Sequence, residues 1–206
     1  GVPAVTLGEL VRVEPKLFSP SQQPDQSFTE IDLADVDKST GEVHRARSRR
    51  GDELRGRKSS FDEGDLLFAK MRPQLNNVVR AWRPSSDLPE SLCGSSEWVR
   101  MIPGEDPGFA LLAARSSFVR AQLRATHGQT RPRIQASDLG GLLVPDPGAE
   151  LREMLSRELE SAQQARRQAR QRLDRLSELY EAYGRGELSA EDFRDSLSQL
   201  EAPARE

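Results

Sequence analysis

The sequence predicts an α+β fold class: a mixed-sheet region over residues 1–147, then a long C-terminal coiled-coil helix and a short return helix over residues 148–206. Short apolar runs separated by turn residues fill the first region, which indicates strands. Pro145 and Pro147 mark its end, because proline has no backbone N–H and disfavours helical angles in the preceding residue. Beyond them, apolar residues recur about every 3.5 residues, which is typical of a helix that packs against another helix.

The composition indicates a folded protein with a large solvated surface. Of the 206 residues, 35% are hydrophobic and 31% are charged, and the apolar residues are periodic, which argues against disorder. No run of about 18 apolar residues and no secretion-type leader is visible, so we expect a cytoplasmic protein. Cys93 is the single cysteine and is expected to be a small packing residue, while His44 and His127 stand far apart. We therefore expect no metal and no cofactor.

Alternating apolar residues predict the strands of the first region. Residues 6–10 and 28–36 each show this spacing, and residues 39–41 supply a turn after the second run. Residues 44–60 contain almost no apolar side chain and are predicted to form an exposed loop. Three further strands are predicted over residues 66–70, 75–82 and 98–102.

One helix is predicted near the end of the first region. Asp106 can cap it, and Pro107 fits its first position, where a missing N–H costs nothing. The helix is expected to end near Gly128, and residues 138–145 are predicted to form the last strand. The apolar face of the helix consists of Phe109, Leu112, Phe118 and Leu123.

The C-terminal region is predicted to be an assembly helix. Glu and Arg occupy most of its surface, so a solitary helix would leave its apolar seam in water, and a partner helix is needed. Arg166 is the one charged residue within the seam. The seam positions are Leu155, Ala162, Ala169, Leu176 and Tyr183 in one set, and Leu159, Arg166, Leu173 and Tyr180 in the other.

A short return helix is predicted after the turn at residues 184–186. Ser189 can cap its start, and Leu188 can pack on Phe193 across the first turn. The return helix is expected to fold back on the long helix, which would give a helical hairpin.

Charge is distributed unevenly along the chain, although the net charge is only -3. Residues 1–43 carry a net charge of -5, residues 44–133 carry +7, and residues 134–206 carry -5. A partner senses charge within about one Debye length, roughly 8–10 Å, so the local balance matters more than the total. The basic middle of the chain favours a nucleic-acid partner.

A basic cluster within residues 44–60 is the first candidate binding element. Guanidinium groups bind phosphate oxygens in pairs, and each such contact releases counterions from DNA. A plain solvated loop is the alternative, because Arg outnumbers Lys by 26 to 4 throughout the chain. The cluster consists of Arg45, Arg47, Arg49, Arg50, Arg55, Arg57 and Lys58.

Two polar segments, residues 69–73 and 128–133, form the second candidate element. Gln can pair with adenine, Arg with guanine, and Thr can meet a base edge or a methyl group, so these segments hold suitable groups for base reading. The alternative is an ordinary turn that follows a helix. The candidate residues are Lys70, Arg72, Gln129, Thr130, Arg131 and Arg133.

Motifs for catalysis are missing from the sequence. It contains no Gly-rich nucleotide loop ending in Lys-Ser/Thr, no Gly-x-Ser-x-Gly elbow, and neither of the motifs that an adenine methyltransferase needs. Asp62, Glu63 and Asp65 lie close together with Lys70 downstream, but solvated turn residues explain them better than a metal-dependent nuclease does. We expect that the protein is not an enzyme.

Four landmarks occur in order along the chain: residues 28–43, residues 61–73 with Gly-Asp-Leu-Leu-Phe-Ala-Lys-Met-Arg-Pro, residues 128–134 with Gly-Gln-Thr-Arg-Pro-Arg-Ile, and residues 138–145. With the helix after them, they resemble the target recognition domain and conserved helix of type I restriction-modification specificity subunits. The resemblance implies that residues 1–147 read one half of a split DNA target. It also implies that residues 148–206 pair with a second such helix, and that a DNA methyltransferase (modification) subunit, or a restriction subunit, docks beside them.

Two features depart from that family's usual pattern. The usual subunit carries two recognition domains and two conserved helices, whereas this chain has one of each and no internal repeat. The chain is therefore expected to be either a half-subunit that pairs with itself as a homodimer or a fragment of a larger protein. The Gln-rich opening of the conserved helix is also missing, since residues 149–152 read Ala-Glu-Leu-Arg, and this affects how a modification subunit would dock.

Two other functions are compatible with the sequence. One is a coiled-coil scaffold or protein-interaction adaptor without DNA binding, which the acidic flanks favour. The other is a damaged or inactive enzyme domain. Binding to duplex DNA at two salt concentrations separates a DNA reader from a scaffold, because phosphate contacts give a steep salt dependence.

Overall fold

The computed structural model of the chain describes residues 2–126 and 133–201. It confirms the predicted α+β fold class, with mixed sheets, a long C-terminal helix and a short helix after it. The chain divides into two compact units, Gly1–Glu158 and Leu159–Glu206. Strands and helices form the first unit, whereas the second is helical.

Thirteen strands and six α-helices occur within the described residues. The strands are β1 (Ala4–Thr6), β2 (Val11–Val13), β3 (Leu17–Phe18), β4 (Ser27–Ile31), β5 (Val36–Asp37), β6 (Glu42–Val43), β7 (Arg47–Arg50), β8 (Lys58–Phe61), β9 (Leu66–Ala69), β10 (Val78–Arg80), β11 (Leu92–Ser95), β12 (Trp98–Pro103) and β13 (Leu143–Pro145). The helices are α1 (Leu7–Leu10), α2 (Pro107–Arg115), α3 (Ser117–Thr126), α4 (Ala136–Leu139), α5 (Ala149–Gly184) and α6 (Ala190–Glu201).

Two sheets of the first unit contain most of these strands. The four-stranded sheet has the order β10-β9-β12-β2 and is antiparallel throughout. The five-stranded sheet has the order β3-β8-β11-β4-β7, and its β11 and β4 run parallel, which makes the sheet mixed. Two further pairs, β1 with β13 and β5 with β6, are antiparallel.

The main hydrophobic core combines side chains from both large sheets. Ile31 and Phe61 come from the five-stranded sheet, while Leu67, Val79 and Trp98 come from the four-stranded sheet, and each is at most 1% exposed. Burial of one such side chain stabilises the fold by about 1.5–3 kcal/mol. Strand β9 is buried at every position, so it is recognisable in the sequence as a continuous apolar run.

A buried ion pair links β12 of the four-stranded sheet to the turn that precedes β9. The Arg100 guanidinium on β12 donates from Nε to Asp65 at 2.5 Å and from Nη2 to Asp62 at 2.5 Å. Asp65 also accepts a hydrogen bond from the Asp62 N–H at 2.7 Å. The prediction that these acids are solvated is therefore wrong for Asp65, which is buried.

The strand predicted over residues 6–10 is a single helical turn, α1, so that prediction is wrong. The Glu9 carboxylate accepts hydrogen bonds from the Thr6 N–H at 2.7 Å and from Thr6 Oγ1 at 2.8 Å. Thr-x-x-Glu is a helix-start motif, and hydrophobic alternation alone does not detect it. Leu7 and Leu10 of this turn are buried.

Residues 44–60 do not form the predicted exposed loop. Strand β7 pairs with β4, and β8 pairs with β11 and β3, so both ends of this segment lie in the five-stranded sheet. Leu54, between the two strands, is 5% exposed and packs with Phe28 and Cys93. A polar segment can therefore be ordered when its backbone completes a sheet and one apolar residue anchors its turn.

The helix predicted over residues 107–128 is two helices, α2 and α3. Ser116 separates them because its backbone is extended, with φ -65° and ψ 159°. Its hydroxyl accepts a hydrogen bond from the Val119 N–H at 3.3 Å and so caps the second helix. The predicted start at Pro107 is confirmed, with Asp106 at the cap position.

Three other predicted strands are shorter than expected. A 3-10 turn at Leu33–Asp35 divides residues 28–36 between β4 and β5, and the Asp32 side chain caps that turn. The run over residues 75–82 is reduced to β10, because a 3-10 turn at Pro73–Leu75 precedes it. Helix α4 and β13 share the last predicted strand, residues 138–145.

Polar and close-packed contacts within the first unit hold the start of α5. Arg152 donates to Asp146 through Nε at 2.7 Å and through Nη2 at 2.6 Å. The Gly148 N–H also donates to Asp146, at 2.9 Å. One turn further along the helix, Ser156 Oγ accepts a hydrogen bond from the buried Gly108 N–H of α2 at 2.8 Å.

The substitution Asp146→Asn is expected to remove an acid-dependent part of the stability. Hydrogen bonds from Arg152, with the one from Gly148, lower the pKa of Asp146. A carboxylate with a lowered folded-state pKa stabilises the fold above its ordinary pKa of about 3.9, and this stabilisation is lost as the pH falls through the lowered value. Thermal unfolding should give a higher melting temperature for the wild type at about pH 6, with the difference shrinking below about pH 4. An equal difference at about pH 6 and pH 2 would contradict this account.

The second unit contains the return helix α6 in the predicted place. The Ser189 hydroxyl accepts a hydrogen bond from the Asp192 N–H at 3.1 Å, which confirms the predicted cap. The Phe193 ring of α6 stacks on Tyr183 of α5 with 5.0 Å between ring centroids, and Leu179 is buried. These contacts agree with the predicted return of the short helix onto the end of the long one.

Candidate nucleic-acid interface

The first basic cluster is largely paired with carboxylates. Arg45 Nε lies 2.9 Å and Arg47 Nη2 lies 3.3 Å from Oδ1 of the fully buried Asp35. Lys58 Nζ contacts Glu30 at 2.6 Å, and Arg49 lies 3.8 Å from the same carboxylate. Glu30 is on β4, and its carboxylate contacts one cation on β7 and one on β8.

Arg50 is paired as well, whereas two members of the cluster are not. Arg50 contacts Asp25 at 2.9 Å and Asp52 at 3.3 Å, and Asp52 chiefly raises the pKa of Arg50. Arg55 and Arg57 are exposed, and neither forms an ion pair within residues 2–126 and 133–201. Five of the seven cations thus each contact a carboxylate, although four of them share only Asp35 and Glu30. Among the described residues, Arg55 and Arg57 are the members of the cluster that can reach phosphate without breaking an ion pair.

The second candidate element is partly brought together by the fold. Met71 pairs with Arg133 in an isolated β-bridge, and the Ile134 N–H donates to the Lys70 carbonyl at 3.1 Å. Residues 69–73 and the end of 128–133 are therefore neighbours, which their predicted joint role would require. Arg72 is exposed, and Lys70 is half-buried.

An acid that the sequence analysis did not single out lies beside this junction. Glu97 contacts Arg133 Nη2 at 2.8 Å, and its carbonyl accepts a hydrogen bond from the Lys70 N–H at 2.9 Å. Glu97 sits in the turn between β11 and β12, and only the pairing of β12 with β9 brings it here. The remaining candidates, Gln129, Thr130 and Arg131, lie outside the described residues.

The residues predicted to mediate dimerisation differ in their exposure. In the first unit, Leu155 is 40% exposed. In the second unit, Leu173 is 64% and Tyr180 is 69% exposed. Ala162 and Ala169 are also exposed, whereas Leu159 and Leu176 are half-buried. The second unit therefore has an apolar strip on α5 that faces solvent at Leu173 and Tyr180.

Other groups that could carry chemistry have structural roles. Cys93 is buried, as predicted, and burial raises the pKa of its thiol to about 12, so the thiol is not a nucleophile at neutral pH. In the part of the chain that the structure describes, no three His, Cys, Asp or Glu side chains are grouped to hold a metal ion. No helix among the described residues has both the length and the apolarity to cross a membrane.

Comparison with known proteins gives matches among solved structures. No protein-family model and no curated protein matches the chain. The chain is similar to the HsdS subunit from Thermoanaerobacter tengcongensis, with 23% identity and a TM-score of 0.64, over 87% of this chain and 47% of the other. It is also similar to a chain from a structure concerning the complex assembly and conformational transition of the type I R-M system, with 22% identity and a TM-score of 0.66, over 87% and 48%. The chain spans about half the length of these neighbours, and over that span it has the fold of a type I specificity subunit.

Proposed function

We propose that the chain is a sequence-specific DNA-binding specificity module of a restriction-modification system. Residues 1–147 act as a target recognition domain for one half-site, and residues 148–206 act as a dimerisation and spacer region. The module directs a DNA methyltransferase subunit, and a restriction subunit where the system has one, to that site in the cytoplasm. It is not itself an enzyme, because its partners perform the chemistry. The HsdS-like fold over 87% of the chain supports this proposal.

One observation carries the DNA-reading part of the proposal. Residues 69–73 meet Arg133, the end of the second segment selected for base-reading side chains, at the bridge between Met71 and Arg133. Base contacts specify a sequence, whereas phosphate contacts position the protein on the duplex. We assign base reading to Lys70, Arg72, Gln129, Thr130, Arg131 and Arg133. We assign phosphate contacts to the first basic cluster, in which Arg55 and Arg57 form no ion pair with a described residue.

The double substitution Arg55→Ala and Arg57→Ala tests the phosphate contacts. The observed association constant for a random-sequence duplex should fall with salt, and the slope of log K against log[salt] should become shallower by about 0.9 for each lost contact. Fluorescence anisotropy at several salt concentrations measures this slope.

A double substitution in the second unit is the matched control. Arg185→Ala with Arg194→Ala removes the same charge from the helical hairpin and should leave the slope unchanged. An equal change in both double variants would show that net charge, and not phosphate contact, sets the slope. No duplex binding by the wild type would contradict the proposed function itself.

Self-pairing through α5 is the assembly part of the proposal. Leu173 and Tyr180 are exposed in the second unit and belong to the predicted seam. Burial of a leucine side chain contributes about 1.5–3 kcal/mol, so a seam of several such residues can hold two copies together. Two copies would then present two recognition domains to two half-sites.

The substitution Leu173→Glu should weaken the dimer by more than about tenfold, because it places a charge in an apolar contact and removes a buried side chain. Sedimentation at several protein concentrations measures the dissociation constant. Gln171→Glu adds the same charge at an exposed position on another face of α5 and should leave the constant unchanged. A wild type that stays monomeric at every concentration would contradict self-pairing and favour a second helical region within a longer chain.

The second candidate function is a coiled-coil adaptor that does not bind DNA. The pairing of five of the seven cations in the first cluster with carboxylates favours it, because a paired cation attracts phosphate less strongly. The salt titration decides between the two functions, since an adaptor has no steep salt slope.

A further inference from the structure

The turn that carries Arg72 has an unusual backbone. Arg72 has φ 51° and Asn76 has φ 59°, and both lie in the left-handed region that residues other than glycine rarely adopt. A 3-10 helix, Pro73–Leu75, lies between them. We call residues 71–76 the Arg72 turn. Such backbone conformations persist only where the surroundings hold them, and they are common at functional sites.

The Arg115 side chain contacts the end of this turn. The Arg115 guanidinium, at the end of α2, donates from Nη1 to the carbonyl of Val78 at 2.6 Å and to that of Asn76 at 3.5 Å. Its Nη2 donates to the carbonyls of Lys38 at 2.8 Å and Ser39 at 3.1 Å. Arg115 therefore joins three segments: α2, the turn between β5 and β6, and the exit of the Arg72 turn.

The surroundings of Arg115 are built for this guanidinium. A Cβ placed on Gly41 would lie 2.6 Å from Arg115 Nη1, so the hairpin leaves room for the group by having glycine there, with φ 75°. Burial lowers the pKa of Arg115, although a guanidinium stays charged in proteins. Within residues 2–126 and 133–201 its hydrogen-bond partners are carbonyls and not carboxylates. The Arg115 guanidinium thus holds the backbone of two other segments in place through hydrogen bonds to neutral carbonyl groups.

The outer side of the Arg72 turn carries three solvent-facing side chains. Arg72 is exposed, and the apolar Met71 and Leu75 on either side of it are 41% and 39% exposed. A cation between two apolar groups suits a groove of duplex DNA. Arg can pair with guanine, while Met and Leu can contact a thymine methyl group or insert beside a base step.

We propose that Arg115 is a positioning residue that holds the Arg72 turn in the shape that presents Met71, Arg72 and Leu75 to the base pairs of duplex DNA. The inference rests on the proposed function and assigns part of the base contact to apolar groups. Arg115 acts through the backbone and does not touch DNA. Lysine at this position could reach one or two of the four carbonyls, and methionine none.

Selection from a pool of random-sequence duplexes tests the proposal. The wild type is used to enrich a preferred duplex, and the dissociation constants of that duplex and of a scrambled one are measured at fixed salt. Arg115→Met should raise the constant for the preferred duplex at least tenfold and that for the scrambled duplex less than threefold. Arg115→Lys should give an intermediate selectivity ratio. Arg83→Met is the matched control, because Arg83 also donates to a carbonyl, that of Leu88, and its loss removes the same charge.

The outcomes separate this inference from the proposed function. If the wild type enriches no duplex, the proposed function fails and the inference with it. If the wild type is selective and Arg115→Met keeps its ratio, or if Arg83→Met loses as much, the positioning role is wrong while the proposed function stands.

A second variant covers the case in which Arg115→Met does not fold. The Asn76 side-chain amide lies between the Arg115 carbonyl and Arg120 Nη1, 3.2 Å from each. Asn76→Gly removes these contacts, while glycine adopts a positive φ readily, so the fold should persist with a looser turn. The selectivity ratio should fall at least threefold at a nearly unchanged melting temperature. An unchanged ratio would show that selectivity does not depend on the shape of the Arg72 turn, and this would overturn the proposal.

Discussion

Replacing Arg100 with methionine is expected to lower the free energy of unfolding by about 3–5 kcal/mol. The Asp65 side chain is 6% exposed, and Arg100 is the cation that contacts it, at 2.5 Å. Without Arg100, a carboxylate would remain buried beside β9 with its charge uncompensated, which costs far more than the loss of a surface pair. Chemical denaturation measures the change.

Two further variants make the Arg100 prediction specific. Arg157→Met removes an equal charge from a pair with Glu153 in which both side chains are more than 60% exposed, and it should cost less than about 0.5 kcal/mol. Arg100→Met combined with Asp65→Leu should recover part of the loss, since the buried carboxylate is then gone. A loss below about 1 kcal/mol for Arg100→Met alone would show that this substitution does not leave an uncompensated charge buried at Asp65.

The second large effect is expected for Gly94→Ala, in the middle of the five-stranded sheet. A Cβ on Gly94 would collide with the Ile31 carbonyl oxygen and would lie 2.8 Å from Trp98 Cδ1. Trp98 Nε1 donates to that same carbonyl at 3.1 Å, so neither neighbour can move without loss of this hydrogen bond. Overpacking typically lowers the free energy of unfolding by about 1–3 kcal/mol. Because the nearest neighbour of the added Cβ is a backbone atom, we expect Gly94→Ala to cost about 3 kcal/mol.

Gly140→Ala is the matched control for Gly94→Ala. No atom lies within 4 Å of a Cβ built on Gly140, and its backbone angles of -63° and -30° suit alanine. The substitution should leave stability unchanged or raise it by up to about 1 kcal/mol, because alanine has less freedom in the unfolded chain. If both glycine variants unfold at the same denaturant concentration, the crowding at Gly94 has no energetic consequence.

Elements that are determined by their own residues, or by adjacent ones, were predictable from the sequence. Strand β9 is a continuous apolar run, and helix α2 begins at Pro107. Helix α5 begins soon after Pro147, and Ser189 caps α6. In each case the residues that determine the element lie within it or next to it, so a short window of sequence contains the information.

Parts of the fold that depend on distant residues were not predictable from such windows. The arginines of β7 form a strand because β4, about twenty residues earlier, offers its free edge, and composition alone suggested a loop. The parallel pairing of β4 with β11 joins segments about sixty residues apart. Local propensity is a weak guide where such pairing supplies the backbone hydrogen bonds.

The candidate site shows the same division. Residue types suited to DNA could be found in the sequence, and the meeting of residues 69–73 with Arg133 agrees with their predicted joint role. The pairing of these cations with carboxylates could not be predicted, because Asp35 and Glu30 reach them only through the register of β4 and β7. The role of Arg115 depends on carbonyls from two distant segments, which no motif encodes.

The pairing of β1 with β13 affects how the protein is made on the ribosome. Residues 4–6 form an antiparallel ladder with residues 143–145, so the first strand has no partner until nearly 140 further residues have been synthesised. At about 5–20 residues per second this takes roughly 7–30 s. During that interval β1 has an unpaired edge, and unpaired edges are where chaperones act and where premature association between polysomal chains begins.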